Sequence, residues 1–311
     1  MSHMLEITDL VKRYGPKLAL DGISLTVDEG EVVGLLGPNG AGKSTAMNII
    51  TGCLSSTSGT VKIGGFDILE KPTEAKKLIG FLPEQPPLYG EMTVNEYLDF
   101  VYELKRCTLN RKKHLDEVKK VTKTHDVGDR LIRNLSKGYR QRLGIAQAIV
   151  GAPKVIVLDE PTIGLDPKQI IEIRSLIRNL GRSHTVIIST HILSEVQAVC
   201  DRIVIINAGR IVADDAAENI ARAVEKERRW AFTVSGAQKD VLRVLRAVNG
   251  VSAAECDGSR VDDAYTYVVT SEPGVDVRKP VFYALAKESM PIMKLDPVEA
   301  GLEDVFLTLT N

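Results

Sequence analysis

Over roughly the first two thirds of the chain, short unbroken apolar runs alternate with stretches whose apolar residues recur every three to four positions. Val155-Ile156-Val157-Leu158 contains no polar residue, which suits a strand covered on both faces. Similar β-branched runs occupy 31–36, 61–63, 79–82, 185–189 and 202–206. Between them, helical spacing predicts helices at 43–51, 94–105, 111–125, 137–151 and 168–181. The last of these has Asp166 as N-cap, Pro167 in its first turn and Gly181 just past its end. That order predicts an α/β domain with a largely parallel sheet. Residues 5–27 read as short strands with turns and predict a small antiparallel subsheet.

The texture changes near residue 222. Glu225, Lys226, Glu227, Arg228 and Arg229 are consecutive charges, the pattern of a solvated helix end or linker. Two domains are therefore expected, 5–222 and 228–311. The second reads strand 230–234, helix 238–248, strands 251–256 and 265–270, helix 278–287 and strand 291–295. This β-α-β-β-α-β order is that of a ferredoxin-like α+β module. A last helix is expected at 302–309.

Composition adds exclusions. The 311 residues are 44% hydrophobic and 26% charged with a net charge of −1, so a nucleic-acid partner finds no bulk electrostatic support. The four cysteines, Cys53, Cys107, Cys200 and Cys256, are too scattered for a zinc site or a disulfide framework. The most apolar stretch, 143–158, is interrupted by Gln147, Pro153 and Lys154, and falls short of the ~20 residues of a spanning helix.

Chemistry enters at Gly37-Pro38-Asn39-Gly40-Ala41-Gly42-Lys43-Ser44, followed by Thr45, which fits G-x-x-x-x-G-K-[ST] between a predicted strand and a predicted helix. Glycines let backbone N–H groups turn inward as a nest for phosphate oxygens, and the helix dipole adds positive charge there. Lys43 is suited to neutralise the β- and γ-phosphates of a nucleoside triphosphate, and Ser44 to offer its hydroxyl to Mg²⁺. The run 155–158 ends in Asp159 and Glu160, two carboxylates that call for a cation. Asp159 is assigned to the metal, through water, and Glu160 to polarising the water that attacks the γ-phosphate.

With these motifs in hand, residues 5–215 are identified as resembling the ATP-binding cassette (ABC) ATPases. Further elements occur in the family's order. Tyr14 matches the aromatic that stacks on adenine. Phe81-Leu82-Pro83-Glu84-Gln85 matches the segment linking metal to partner subunit, and Leu135-Ser136-Lys137-Gly138-Tyr139 the signature at a helix start. Gly164-Leu165-Asp166 matches the D-loop, and His191 the switch histidine at the γ-phosphate.

The resemblance implies a P-loop NTPase fold with a helical subdomain and a small antiparallel β subdomain. It implies ATP and Mg²⁺ as cofactors, and a composite site in which Ser136 and Gly138 cover the nucleotide of a second subunit. Partners are then a second nucleotide-binding subunit, identical or related, and separate membrane-spanning subunits, with the chain peripheral on the cytoplasmic face of the membrane. Two departures stand out. Lys137 and Tyr139 replace commoner signature residues, and both Glu84 and Gln85 are candidates for the metal-facing role. The Lys-Gly-Tyr variant and the ending 301–310 resemble subunits of bacterial exporters; an importer subunit, or a soluble cassette acting on ribosome or DNA, are the alternatives. Pro86, Pro87, Leu88, Tyr89 and Met92 are candidates for the membrane-subunit contact.

Overall fold

The apolar positions of the first thirty residues pair as two long strands, β1 (His3–Tyr14) and β2 (Lys17–Asp28), in place of the short strands expected. Register shifts along the pair let the ribbon curl while Leu5, Ile7, Leu10, Leu20, Ile23 and Leu25 all stay buried. The computed structural model describes residues 3–220, 229–261 and 263–298. By its contacts the chain divides into two units, Met1–Ala217 and Glu218–Asn311.

In the first unit, β3 (Val32–Leu36) is buried at every position and runs into helix α1 (Lys43–Ile50). Strands β4 (Ser58–Ile63) and β5 (Phe66–Asp67) complete an antiparallel sheet in the order β2-β1-β4-β5. Helix α2 (Pro72–Lys77) leads into β6 (Ile79–Leu82). Three helices follow: α3 (Val94–Leu104), α4 (Arg111–Thr122) and α5 (Lys137–Ile149). Each starts on a side-chain cap: Thr93 in a reciprocal pair with Glu96, Asn110, and Ser136.

Strand β7 (Val155–Asp159), helix α6 (Pro167–Gly181), strand β8 (Thr185–Thr190), helix α7 (Leu193–Val199) and strands β9 (Arg202–Asn207) and β10 (Arg210–Ala216) close the unit. The second sheet has the order β10-β9-β3-β8-β7-β6, with β10 antiparallel at its edge and the other five parallel. Apolar side chains from both sheets and from α1 form one core.

Asp166 caps α6 as expected, but Gly181 is the last helical residue rather than the stop. A Cβ there would sit 2.5 Å from Val32 Cγ2, so close packing and not chain reversal requires the glycine. Gly80 on β6 is a second such position: a Cβ would lie 2.2 Å from the Ala148 carbonyl oxygen on α5. Gly80→Ala is therefore expected to cost about 1–3 kcal/mol, read as a lower urea midpoint; an unmoved midpoint would contradict the tight β6–α5 contact.

The second unit contains β11 (Arg229–Ser235), α8 (Gln238–Arg246), β12 (Val251–Val261), β13 (Ala264–Ser271), α9 (Arg278–Lys287) and β14 (Ile292–Val298). Its antiparallel sheet has the order β12-β13-β11-β14, with the two central strands non-consecutive as a ferredoxin-like module requires. Phe232, Tyr267, Val241 and Leu285 are among its fully buried residues. The charge run at 222–228 and the helix expected at 302–309 lie outside the described residues.

Candidate functional site

Strands β3, β8, β7 and β6 are parallel neighbours, so their C-terminal ends stand side by side. That edge of a parallel sheet is where loops can converge on a ligand. Leu36 is level with Thr190, Asp159 with Ser189, and Leu82 with Leu158.

Beyond Leu36 the chain turns through Gly37 to Gly42. Gly42 has φ 111°, open to glycine alone without strain, and a Cβ on it would meet the Ala19 carbonyl oxygen at 2.7 Å. Helix α1 then begins with no side-chain cap and no acid in its first turn. Its first N–H groups and the positive end of its dipole are left for an anion. Lys43 is buried, and its Nζ donates to the carbonyls of Gly37 (2.8 Å) and Pro38 (3.1 Å). Burial holds the ammonium below its ordinary pKa, while Glu160, then Asp159 and Glu84, pull it back up.

The end of β7 supplies the acids. Ser44 Oγ donates to Asp159 Oδ1 at 3.4 Å. Glu160 is 6% exposed and has φ 48°, a left-handed backbone that costs a non-glycine residue energy and is characteristic of functional sites. Its N–H donates to Ser189 O at 3.0 Å, which fixes the turn. Its carboxylate lies 3.0 and 3.1 Å from His191 Nδ1 and 4.0 Å from Lys43 Nζ.

Glu195, in the first turn of α7, was not expected in this role. It is 5% exposed and accepts hydroxyl hydrogens from Thr162 (2.6 Å) and Thr190 (3.0 Å). It thereby ties the loop after Glu160 to the residue before His191. In the sequence it is one acid in a stretch where no element is predicted, which is why it carries no signal there.

A cavity of about 390 Å³ opens here, lined by Tyr14, Asn39, Gly40, Gly42, Lys43, Ser44, Thr45, Glu84, Glu160 and His191, with Lys17, Ala19 and Ile163. The last three were not anticipated; Lys17, just past the β1–β2 turn, is the one whose charge was a usable clue. Gly37, Pro38 and Ala41 belong to the loop but not to the lining, and Asp159 stands behind Ser44. Of the two candidates after β6, Glu84 reaches the cavity and Gln85 does not. Ser136 and Gly138, the latter buried at the start of α5, do not line it either.

A hard divalent cation fits the donors present. Ser44 hydroxyl, Asp159 and Glu84 offer only oxygen, and among the described residues no cluster of three or more His, Cys, Asp or Glu could hold a metal alone. A Mg²⁺ ion, which keeps much of its shell as water and phosphate, needs no such cluster.

The segment after β6 connects this cavity to a second one. From Glu84 it passes to Pro87 and Tyr89, which line a groove of about 360 Å³ with Tyr97, Phe100, Leu104 and Lys105. Tyr89 and Leu104 are more than half exposed. Lys105 donates to the carbonyls of Gln147, Ala148 and Val150 at the end of α5, and desolvation of its ammonium there lowers its pKa to about 8 although the residue is exposed.

Comparison with known proteins agrees with this geometry. The family profile described as ABC transporter matches residues 20–163. The ABC transporter ATP-binding protein YxlF of Bacillus subtilis is 39% identical over 99% of this chain and all of its own length. The chain belongs to the ABC transporter ATP-binding family. The linearmycin resistance ATP-binding protein LnrL of the same bacterium is 31% identical over 99% of the chain and 98% of its own. Among solved structures, the cassette MJ0796, a dimer in a post-hydrolysis state with ADP and Pi, superposes with a TM-score of 0.63 at 28% identity, covering 69% of this chain and 99% of that one. The chain is thus an ATP-binding ATPase subunit of the ABC transporter family with the cassette fold. No helix among its described residues is long and apolar enough to cross a membrane.

Proposed function

We propose that this subunit powers an exporter as one of two cassettes that close on Mg-ATP. In this reading the glycine-loop amides and Lys43 hold the terminal phosphates, and Tyr14 stacks on the base. Mg²⁺, held by Ser44 with Asp159 and Glu84 behind or beside it, supplies charge neutralisation at the phosphates when bound. Glu160 orients and polarises the attacking water, and His191, hydrogen-bonded to Glu160, faces the γ-phosphate. Little covalent work falls to the protein, so placing these groups is most of catalysis.

Ser136 and Gly138 cover the nucleotide of the second subunit. One observation carries this: Tyr14, Lys43, Ser44, Glu84, Glu160 and His191, from four separate motifs and the early aromatic, line one cavity, whereas the exposed Ser136 and neighbouring Gly138 line no part of it. The dimeric form of a similar cassette supports the same reading. Ser136→Arg is expected to leave ATP binding by the single subunit intact and to block ATP-driven dimerisation, measured by light scattering. A dimer that still forms would remove the composite site.

Separate membrane subunits dock in the aromatic groove at Tyr89, Phe100 and Leu104, and the segment from Glu84 to Tyr89 reports nucleotide occupancy to them. The subunit then sits on the cytoplasmic face of the membrane. Export is favoured by the resistance role named for LnrL. Co-purification with the membrane partner, followed by transport into inverted vesicles, tests direction; uptake in the opposite sense would overturn it.

A further inference from the structure

Lys137, which stands in the signature where the family usually has a glycine, is not used by the reading above. Its ammonium has no ion-pair partner among the described residues. It lies instead on Gly164, in the loop that leaves Glu160. A Cβ at 164 would sit 2.0 Å from Lys137 Nζ, and Gly164 has φ 66°.

That loop is short and braced at both ends. Glu160 N–H bonds Ser189 O at one end, and Asp166 caps α6 through Gln169 N–H at the other. Inside it, Ile163 N–H donates to Glu160 O and Leu165 N–H to Thr162 O. Two further contacts lock the first turns of α5 onto α6: Gly138 packs against the Gln169 amide, and Arg142 pairs with Glu172.

We propose that Lys137 is a positioning residue for hydrolysis: its side chain braces the 160–166 loop from the signature side and so sets the aim of Glu160. This rests on the two-subunit reading. The turn that covers a second subunit's ATP would then also set the geometry of this subunit's own carboxylate, and the two sites would be coupled through one side chain.

Lys137→Met keeps the apolar stem and removes the ammonium. In the full chain it is expected to lower kcat about tenfold with KM for ATP changed less than about twofold, the signature of a misplaced group rather than lost binding. The Hill coefficient for ATP hydrolysis should fall toward one. In a Glu160→Gln background, ATP-driven dimerisation should survive Lys137→Met. Gly164→Ala, which forces a Cβ toward Nζ, should cost less kcat when combined with Lys137→Met than the two single losses add to, because the positions share one contact.

Unchanged kcat and Hill coefficient, or additive losses, would overturn the proposal. Loss of dimerisation as severe as in Ser136→Arg would overturn it too, by assigning Lys137 to the phosphate across the dimer. If Ser136→Arg itself dimerises, the composite site fails, whatever Lys137→Met does to kcat.

Discussion

Glu160→Gln is expected to bind ATP as tightly as the wild type and to hydrolyse it at least about a hundredfold more slowly. The substitution keeps size and hydrogen-bonding shape but removes the charge that polarises water. The carboxylate is buried, set by a left-handed backbone, and held between His191 and Lys43, so its geometry should survive the exchange. Binding should survive because the groups proposed to hold phosphate, the loop amides and Lys43, are untouched. With hydrolysis blocked, the ATP-bound pair should accumulate as a stable dimer. Phosphate release measured under single-turnover conditions checks the rate. Wild-type turnover would remove Glu160 from catalysis.

Lys43→Ala should abolish measurable ATP binding. Three carboxylates, Glu160, Asp159 and Glu84, act on this ammonium. Without it, a triphosphate entering the cavity would meet negative charge with one fewer cation to offset it. Truncating one partner of a buried charge pair formed on binding costs about 3–5 kcal/mol of affinity, a loss of more than a hundredfold. The fold should persist, since the buried ammonium is itself costly to desolvate and Glu160, which loses it, keeps His191 as a partner, while the carbonyls of Gly37 and Pro38 lose a donor. Isothermal calorimetry on the folded variant reads the effect; an unchanged affinity would contradict the role given to Lys43.

The parts of the site legible in the sequence are those whose backbone demands are severe. Gly42 needs a left-handed conformation and room against Ala19, so the loop must be spelled with glycine, and its strand and helix flanks follow. The all-apolar run before Asp159 is likewise readable because a strand buried on both faces tolerates no polar position. Helix α6 is announced by Asp166, which caps it in the structure.

What escaped has no such local cost. Glu195 acts only through Thr162 and Thr190, which are distant or unremarkable neighbours in sequence. Helix α7, only seven residues long with Ile192 as an uncapped start, gives no periodic signal. Strand β10 carries Asp214 and Asp215 because it is an exposed edge, which disguises it as a loop. The length of β1 and β2 was hidden by bulges that shift which residues face inward. Glu84 and Gln85 are adjacent and chemically alike, so only the direction of the chain after β6 separates them.

The most direct test is a crystal structure of the full chain grown with a nonhydrolysable ATP analogue and Mg²⁺. The account predicts two subunits around two nucleotides, with each set of terminal phosphates in the Gly37–Thr45 loop of one subunit and beneath Ser136 of the other. Phosphates bound elsewhere, or bound in that loop with Ser136 left open to solvent in a lone subunit, would contradict it.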